Sequence, residues 1–141
     1  MSEERQRGVD LFNEAWRLIE TREDDDRLLH VAHASRYHWG EAEECTPANL
    51  ARGEWQVARV YTVLGRSEPA IWHALRCLEH CEQNGIGDWD LAYAYEALAR
   101  AHALAGDGAA EGWKSKARKA GDAISDPEDR EQFDEDYLTL P

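Results

Sequence analysis

An internal repetition constrains the fold of this chain more than any single residue does. When Gly65 is aligned with Gly106, four preceding positions carry comparable residues: Val57 and Leu98, Ala58 and Ala99, Arg59 and Arg100, and Tyr61 and His102. Each glycine follows a segment with helical periodicity and stands where a helix would end. A unit of helix, glycine turn and helix cannot bury its apolar face alone, so such units stack. The repetition therefore predicts stacked helical hairpins.

The rest of the chain also shows helical periodicity, and no segment shows the sustained alternation of a β-strand. Thr46-Pro47 and Asp126-Pro127 are typical helix starts, because proline is favoured at the first helical position. Asp88 and Ser67 are predicted to begin two further helices. The spacing predicts seven helices, over about 4–22, 24–39, 47–64, 67–83, 88–105, 109–124 and from 127 onward. The fold class is therefore all-α, with residues 1–141 in a single domain.

The charge balance excludes two classes of partner. The chain carries 29 acidic against 16 basic residues, a formal net charge of −13. Such a field repels phosphate backbones and anionic lipid headgroups. We therefore expect no nucleic-acid partner and no membrane partner.

Several features favour a cytoplasmic location. No apolar run approaches the roughly 20 residues of a membrane span, and the first residues, Met-Ser-Glu-Glu-Arg, lack the pattern of a secretion signal. Three cysteines form an odd set in a chain large enough to fold without disulfides. We expect a cytoplasmic protein with reduced thiols.

Residues 47–107 resemble tetratricopeptide repeats. One full repeat matches at Val57, Ala58, Tyr61, Gly65, Ala70, Cys77 and Leu78, and the first half of another at Leu98, Ala99, His102 and Gly106. The two glycines lie 41 residues apart, against about 34 in the short form of the repeat, which indicates a longer turn between repeats. The resemblance implies a right-handed stack of about three antiparallel hairpins with a C-terminal capping helix. Its clearest repeats would span 47–84 and 88–124.

The resemblance also implies a concave face lined by the first helix of each repeat. The residues that it places there are Arg52, Trp55, Arg59, Tyr93, Glu96 and Arg100, with Phe12 and Trp16 as counterparts in the first helix. We expect Arg59 and Arg100, on neighbouring parallel helices, to hold one carboxylate with charge-assisted hydrogen bonds. The simpler alternative is that Glu96 and Arg100 pair along a solvated helix turn. The implied function is a non-catalytic module that binds a protein or peptide and needs no cofactor.

Histidines support an alternative function. His30 and His33 lie one helical turn apart, with His38 further along, so this cluster could hold a metal ion or serve an enzyme. A second group, His73, Cys77, His80 and Cys81, falls near one face of a single helix. One straight helix supplies too few ligands for a tetrahedral zinc site, so core packing is the better interpretation of that group.

Two further expectations concern surfaces. Six tryptophans in so short a chain favour an exposed self-association surface, and hence a homodimer. The basic residues of 114–119 are followed by seven acids between Asp126 and Asp136. We expect the last helix to fold back on the sixth, with carboxylates facing those basic side chains.

Overall fold

A computed structural model describes all 141 residues, which form seven α-helices and no β-strand. The helices are α1 (Glu3–Thr21), α2 (Asp25–Glu41), α3 (Pro47–Val63), α4 (Ser67–Gln83), α5 (Asp88–Ala105), α6 (Ala110–Asp122) and α7 (Pro127–Leu138). The predicted all-α class and the seven helices are confirmed, with bounds within two residues of those expected. No helix is both long and apolar enough to cross a lipid bilayer.

Side-chain caps explain where several helices begin. The hydroxyl of Ser2 and the carboxylate of Asp24 accept hydrogen bonds from backbone N–H groups in the first turns of α1 and α2. Thr46 and Asn49 form a reciprocal capping box before α3, and Asp126 accepts two such bonds at α7. Each cap satisfies N–H groups that have no partner within the helix.

α4 and α5 begin at the expected residues, Ser67 and Asp88, but no side chain caps either start. The capping role expected of Asp88 is wrong. Its carboxylate instead accepts hydrogen bonds from the backbone N–H and hydroxyl of Ser125 and so anchors the loop before α7.

Neighbouring helices pack in pairs along the chain. α1 packs on α2, α3 on α4 and α5 on α6, and each pair also contacts the next through α2 and α3 or through α4 and α5. In addition, α3 contacts both α1 and α5, and α7 contacts α5 and α6. The helices α1, α3, α5 and α7 thus form one continuous row. This arrangement is compatible with a helical repeat.

The apolar core is divided among three clusters that follow this order. Leu18 of α1, Leu28 of α2 and Val57 of α3 belong to the first cluster. The second joins α3, α4 and α5, and the third joins α5, α6 and α7 around Phe133. Because α3 and α5 each contribute to two clusters, each hairpin completes its core against a neighbour.

The predicted return of α7 onto α6 is observed, with one ion pair between the two helices. A guanidinium nitrogen of Arg118 lies 2.6 Å from a carboxylate oxygen of Asp134. Lys114 instead lies over the ring of Tyr137. The contact is centred on the buried ring of Phe133, which lies against the backbone of Gly121. Apolar packing and one ion pair therefore hold α7 against α6.

Candidate binding groove

The row formed by α1, α3, α5 and α7 encloses a cavity of about 520 Å³, which we call the groove. Four of the residues predicted for the concave face line it: Arg52, Trp55, Arg59 and Tyr93. Glu96 and Arg100 do not line the groove and lie behind its wall. The fold therefore brings most of the residues predicted for the concave face to one cavity. Their function there stays a prediction.

A row of aromatic rings forms the apolar wall of the groove. The ring of Trp55 in α3 lies 5.3 Å from that of Trp16 in α1 and 5.4 Å from that of Tyr93 in α5. Phe12 continues the row at one end, and Phe133 of α7 continues it at the other. Edge-to-face and tilted contacts of this kind stabilise aromatic pairs beyond the area that they bury. The wall thus connects all four helices of the row.

Arg59 and Arg100 converge on one carboxylate, but it is not that of a bound partner, for which the repeat register predicted them. That carboxylate is the chain's own Glu96, whose side chain is 0% exposed. Its Oε1 accepts from Arg59 Nη2 at 2.9 Å and from Arg100 Nε at 2.8 Å, and its Oε2 accepts from Trp55 Nε1 at 3.3 Å. The alternative is right that Glu96 and Arg100 pair along one helical turn, but it is wrong that the pair is solvated, because both side chains are enclosed between helices.

Arg100 also connects α5 to α7. Its Nη2 donates to the carbonyl of Asp136 at 3.3 Å and to the hydroxyl of Thr139 at 2.8 Å. Charge-assisted bonds of this kind are stronger than neutral ones. The buried network around Glu96 therefore fixes the relative positions of α3, α5 and α7.

A second ion pair lies at the surface of the groove. Two nitrogens of Arg52 donate to the two oxygens of Asp90, both at 3.0 Å. The same guanidinium lies 4.5 Å above the ring centre of Trp89. The sequence analysis did not select Asp90 or Trp89 for this site. Acidic side chains are common in the first turn of a helix because they interact favourably with the helix dipole, so Asp90 did not stand out.

The α7 wall was also missed. Its groove residues are Asp129, Gln132 and Asp136, and the hydroxyl of Tyr93 donates to Asp136. Burial, together with that hydrogen bond, raises the pKa of Tyr93 above its ordinary value. The hydroxyl therefore stays protonated and keeps α7 attached to α5. Only the return of α7 onto the row, and no local pattern, brings these acids to the groove.

The three histidines of the alternative function do not come together. His30, 78% exposed, has its ring 3.7 Å from Asp26 of the same helix. His33 bonds to Tyr61, and His38 bonds to Glu4. No group of three or more histidine, cysteine, aspartate or glutamate side chains is arranged to hold a metal ion. The helix turns that separate these histidines direct each toward a different neighbour.

His33 belongs to a chain of contacts between α2, α3 and α4. Its Nε2 lies 2.8 Å from the hydroxyl of Tyr61. The ring of Tyr61 stacks on His73, whose Nδ1 lies 3.1 Å from Oε1 of the buried Glu54. Burial, with a smaller effect of His73, lowers the pKa of His33 below its ordinary value of 6.5. The folded protein therefore favours the neutral ring.

We expect the His33→Gln variant to be less sensitive to mild acid than the native protein. The unfolded chain protonates His33 at a higher pH than the folded chain does. The contribution of His33 to the free energy of unfolding is therefore full above about pH 6.5. It is lost as the pH falls toward the pKa of His33 in the folded protein. Urea midpoints at about pH 7.5 and about pH 5.5 measure this loss. Burial also lowers the pKa of His80, so part of the sensitivity remains.

His30→Gln provides the control for this experiment. The side chain of His30 is exposed on the same helix and has the smallest effect on the pKa of His33, so its replacement should change the acid sensitivity of the urea midpoint much less. Equal pH dependence in the native protein and in His33→Gln would contradict the prediction.

The second histidine and cysteine group of the sequence takes the packing role expected for it. Cys77 and Cys81 are buried, free thiols in the cluster that joins α3, α4 and α5. A hydrogen bond with Cys81 and burial raise the pKa of Cys77 well above its ordinary value. The ring of His73 is held by Glu54. These residues therefore fill the interface between hairpins.

One tryptophan fits the expected exposed surface. Trp72 of α4 is 56% exposed, and Leu75 lies on the same shallow depression. Neither residue lines the groove. Self-association through this surface stays a prediction.

Comparison of the chain with protein-family models, with curated proteins and with solved structures finds no match. The likeness to tetratricopeptide repeats therefore remains a resemblance in sequence. The structure shows seven α-helices that pack in neighbouring pairs.

Proposed function

We propose that this chain is a non-catalytic, cytoplasmic interaction module of the tetratricopeptide-repeat type, a right-handed stack that binds a segment of a partner protein in the groove. One observation carries the proposal. Four of the six residues predicted for the concave face, namely Arg52, Trp55, Arg59 and Tyr93, line a single cavity between α1, α3, α5 and α7. Side chains from separate repeats lining one hollow are what such a module requires.

The size and lining of the groove suit a bound side chain or short segment. Its volume of about 520 Å³ falls within the range of roughly 300–1,000 Å³ that is typical of binding pockets. Trp16, Trp55 and Trp89 supply rigid apolar area, and aromatic residues contribute most of the energy at many interfaces. Because α1, α3, α5 and α7 all contribute to the lining, a ligand would contact the whole row.

The arginines of the groove are held in fixed positions. Both arginines that line it are in ion pairs, Arg52 with Asp90 and Arg59 with Glu96. Side chains held in this way give a preorganised surface, which lowers the entropic cost of association.

We expect a library of random peptides to yield binders that depend on the groove. Peptides selected on the native chain should lose most of their affinity for Trp55→Ala, since an aromatic anchor commonly contributes more than about 2 kcal/mol. They should bind Trp72→Ala, an exposed tryptophan outside the groove, as tightly as the native chain. Fluorescence polarisation with labelled peptides measures both affinities.

A second groove variant separates binding from folding. Trp55 donates to Glu96, whereas Trp16 makes ring contacts without a side-chain hydrogen bond. Trp16→Ala should therefore weaken binding and leave the Glu96 network intact, with helical circular dichroism reporting the fold. If selection yields no peptide whose binding depends on Trp16 or Trp55, the proposed function is wrong.

A further inference from the structure

The groove carries more carboxylates than cationic groups. Arg52 and Arg59 line it together with Glu20, Asp90, Asp129 and Asp136. Arg52 is neutralised by Asp90, whereas Arg59 shares the single buried carboxylate of Glu96 with Arg100, so that network keeps one positive charge behind the wall. Three carboxylates, those of Glu20, Asp129 and Asp136, remain in the lining. They outnumber that one charge, so the groove keeps a net negative charge, carried by α1 and α7.

The remaining carboxylates lack cationic partners. The side chains of Glu20 and Asp129 make no hydrogen bond or ion pair within the chain, whereas Asp136 accepts from the neutral groups of Tyr93 and Gln132. Glu20 belongs to α1 and Asp129 to α7, the two ends of the row of helices, and both line the groove. A cation between them would therefore be attracted by both.

The aromatic wall is also suited to cations. Arg52 lies 4.5 Å from the ring centre of Trp89, and Arg59 lies 5.6 Å from that of Trp55. A cation within about 6 Å of an aromatic ring centre is attracted by the ring quadrupole. The chain's own arginines thus show that these rings accept guanidinium groups in this environment.

We infer that the segment bound in the groove presents a lysine or arginine side chain, which lies against the aromatic wall between Glu20 and Asp129. This inference rests on the proposed function and names the chemistry of its partner. The cationic head would pair with the free carboxylates, and its aliphatic stem would cover the tryptophan rings. The net charge of −13 would in addition speed the approach of a basic partner.

A second depression favours a peptide over a small free amine. Its volume is about 260 Å³, and Arg52 lines both it and the groove. Phe12 and Trp39 are among its other lining residues. A path that continues past Arg52 fits an extended chain whose basic side chain enters the larger cavity. A small amine would leave the second depression empty.

The same charges disfavour an acidic segment. Its carboxylates would face Glu20 and Asp129 without compensation, and they would have to displace Asp90 or Glu96 to reach a guanidinium group. Separating a buried ion pair leaves an uncompensated charge in a poorly solvated site. The groove therefore discriminates against acidic partners by repulsion as well as by the absence of free cations.

Indole N–H resonances in two-dimensional NMR spectra test the inference. The probes are a short Gly-Ser peptide that carries two arginines, the same peptide with two glutamates, a neutral Gly-Ser peptide and free arginine amide. We expect the arginine peptide to shift the indole signals of Trp16, Trp55 and Trp89 and to leave those of Trp72 and Trp113 in place. Arginine amide should bind more weakly, and the other two peptides should cause no comparable shift.

A pair of matched variants separates the groove from the overall charge. The double variant Glu20→Gln with Asp129→Asn removes the two free carboxylates. It should lower the affinity for the arginine peptide by about tenfold. Glu131→Gln with Glu135→Gln removes the same charge from exposed positions of α7 and should change its affinity by less than about twofold. Neither pair removes a side-chain contact recorded within the fold.

The outcomes distinguish this inference from the proposed function. The inference would be overturned if the two double variants lost the same affinity for the arginine peptide. It would also be overturned if that peptide did not shift the indole signals of the groove tryptophans. Stronger groove binding by the glutamate or neutral peptide would overturn it and leave the proposed function standing. Arginine amide binding as tightly as the peptide would refute the extended segment. The selection of random peptides tests the proposed function independently.

Discussion

Glu96→Ala is expected to destabilise the native state by about 3–5 kcal/mol, the usual cost of removing one partner from a buried ion-pair network. The substitution leaves the guanidinium groups of Arg59 and Arg100 without their shared carboxylate and removes the acceptor of the Trp55 indole N–H. It also opens a space where a fully buried side chain stood. Urea unfolding followed by far-UV circular dichroism measures the loss.

Two further variants identify the cause of that effect. Glu96→Gln keeps the volume and one acceptor oxygen, so we expect a smaller loss of stability that reflects the missing charge. Glu79→Ala removes a carboxylate that is half exposed on α4 and lies 3.6 Å from Arg76. It should cost less than about 1 kcal/mol, as surface ion pairs usually do. Similar effects of Glu79→Ala and Glu96→Ala would show that the network contributes little.

Phe133→Ala is expected to destabilise the protein by about 3–5 kcal/mol, as large-to-small substitutions of buried phenylalanine do. The ring is fully buried in the cluster that includes Ala92, Ala117 and Ile124. It is the one fully buried side chain of α7, so its loss should also loosen the α7 wall of the groove. Thermal unfolding measures the stability, and peptide binding measures the state of the groove.

Gly121 and Leu138 provide matched tests of this contact. Leu138→Ala, at a position that is 83% exposed on the same helix, should change stability little. A Cβ atom at Gly121 would collide with the ring of Phe133, so Gly121→Ala should destabilise the native protein. It should be tolerated in the Phe133→Ala background, because the ring is then absent. Additive effects of the two substitutions would contradict this packing.

Local sequence patterns were sufficient for the helices and for part of the groove. Apolar spacing, Thr46-Pro47, Asp126-Pro127 and the two aligned glycines define elements that depend on neighbouring residues only, and they predicted seven helices with nearly correct bounds. The repeat register likewise placed Trp55 and Arg59 on the face that lines the cavity. It succeeded there because one helical turn fixes which residues share a face.

The tertiary structure decided what those residues contact. One helical turn indicates the pair of Glu96 with Arg100, but that Arg59 joins it and that the carboxylate is buried depend on how closely α3 and α5 approach. The acids of α7 reach the groove because the whole helix packs back on α5 and α6, with Phe133 against Gly121. Helical periodicity therefore determined the elements and their faces, since both arise from short-range hydrogen bonds and side-chain direction. The charge left free in the groove followed from distances between helices, which no local pattern specifies.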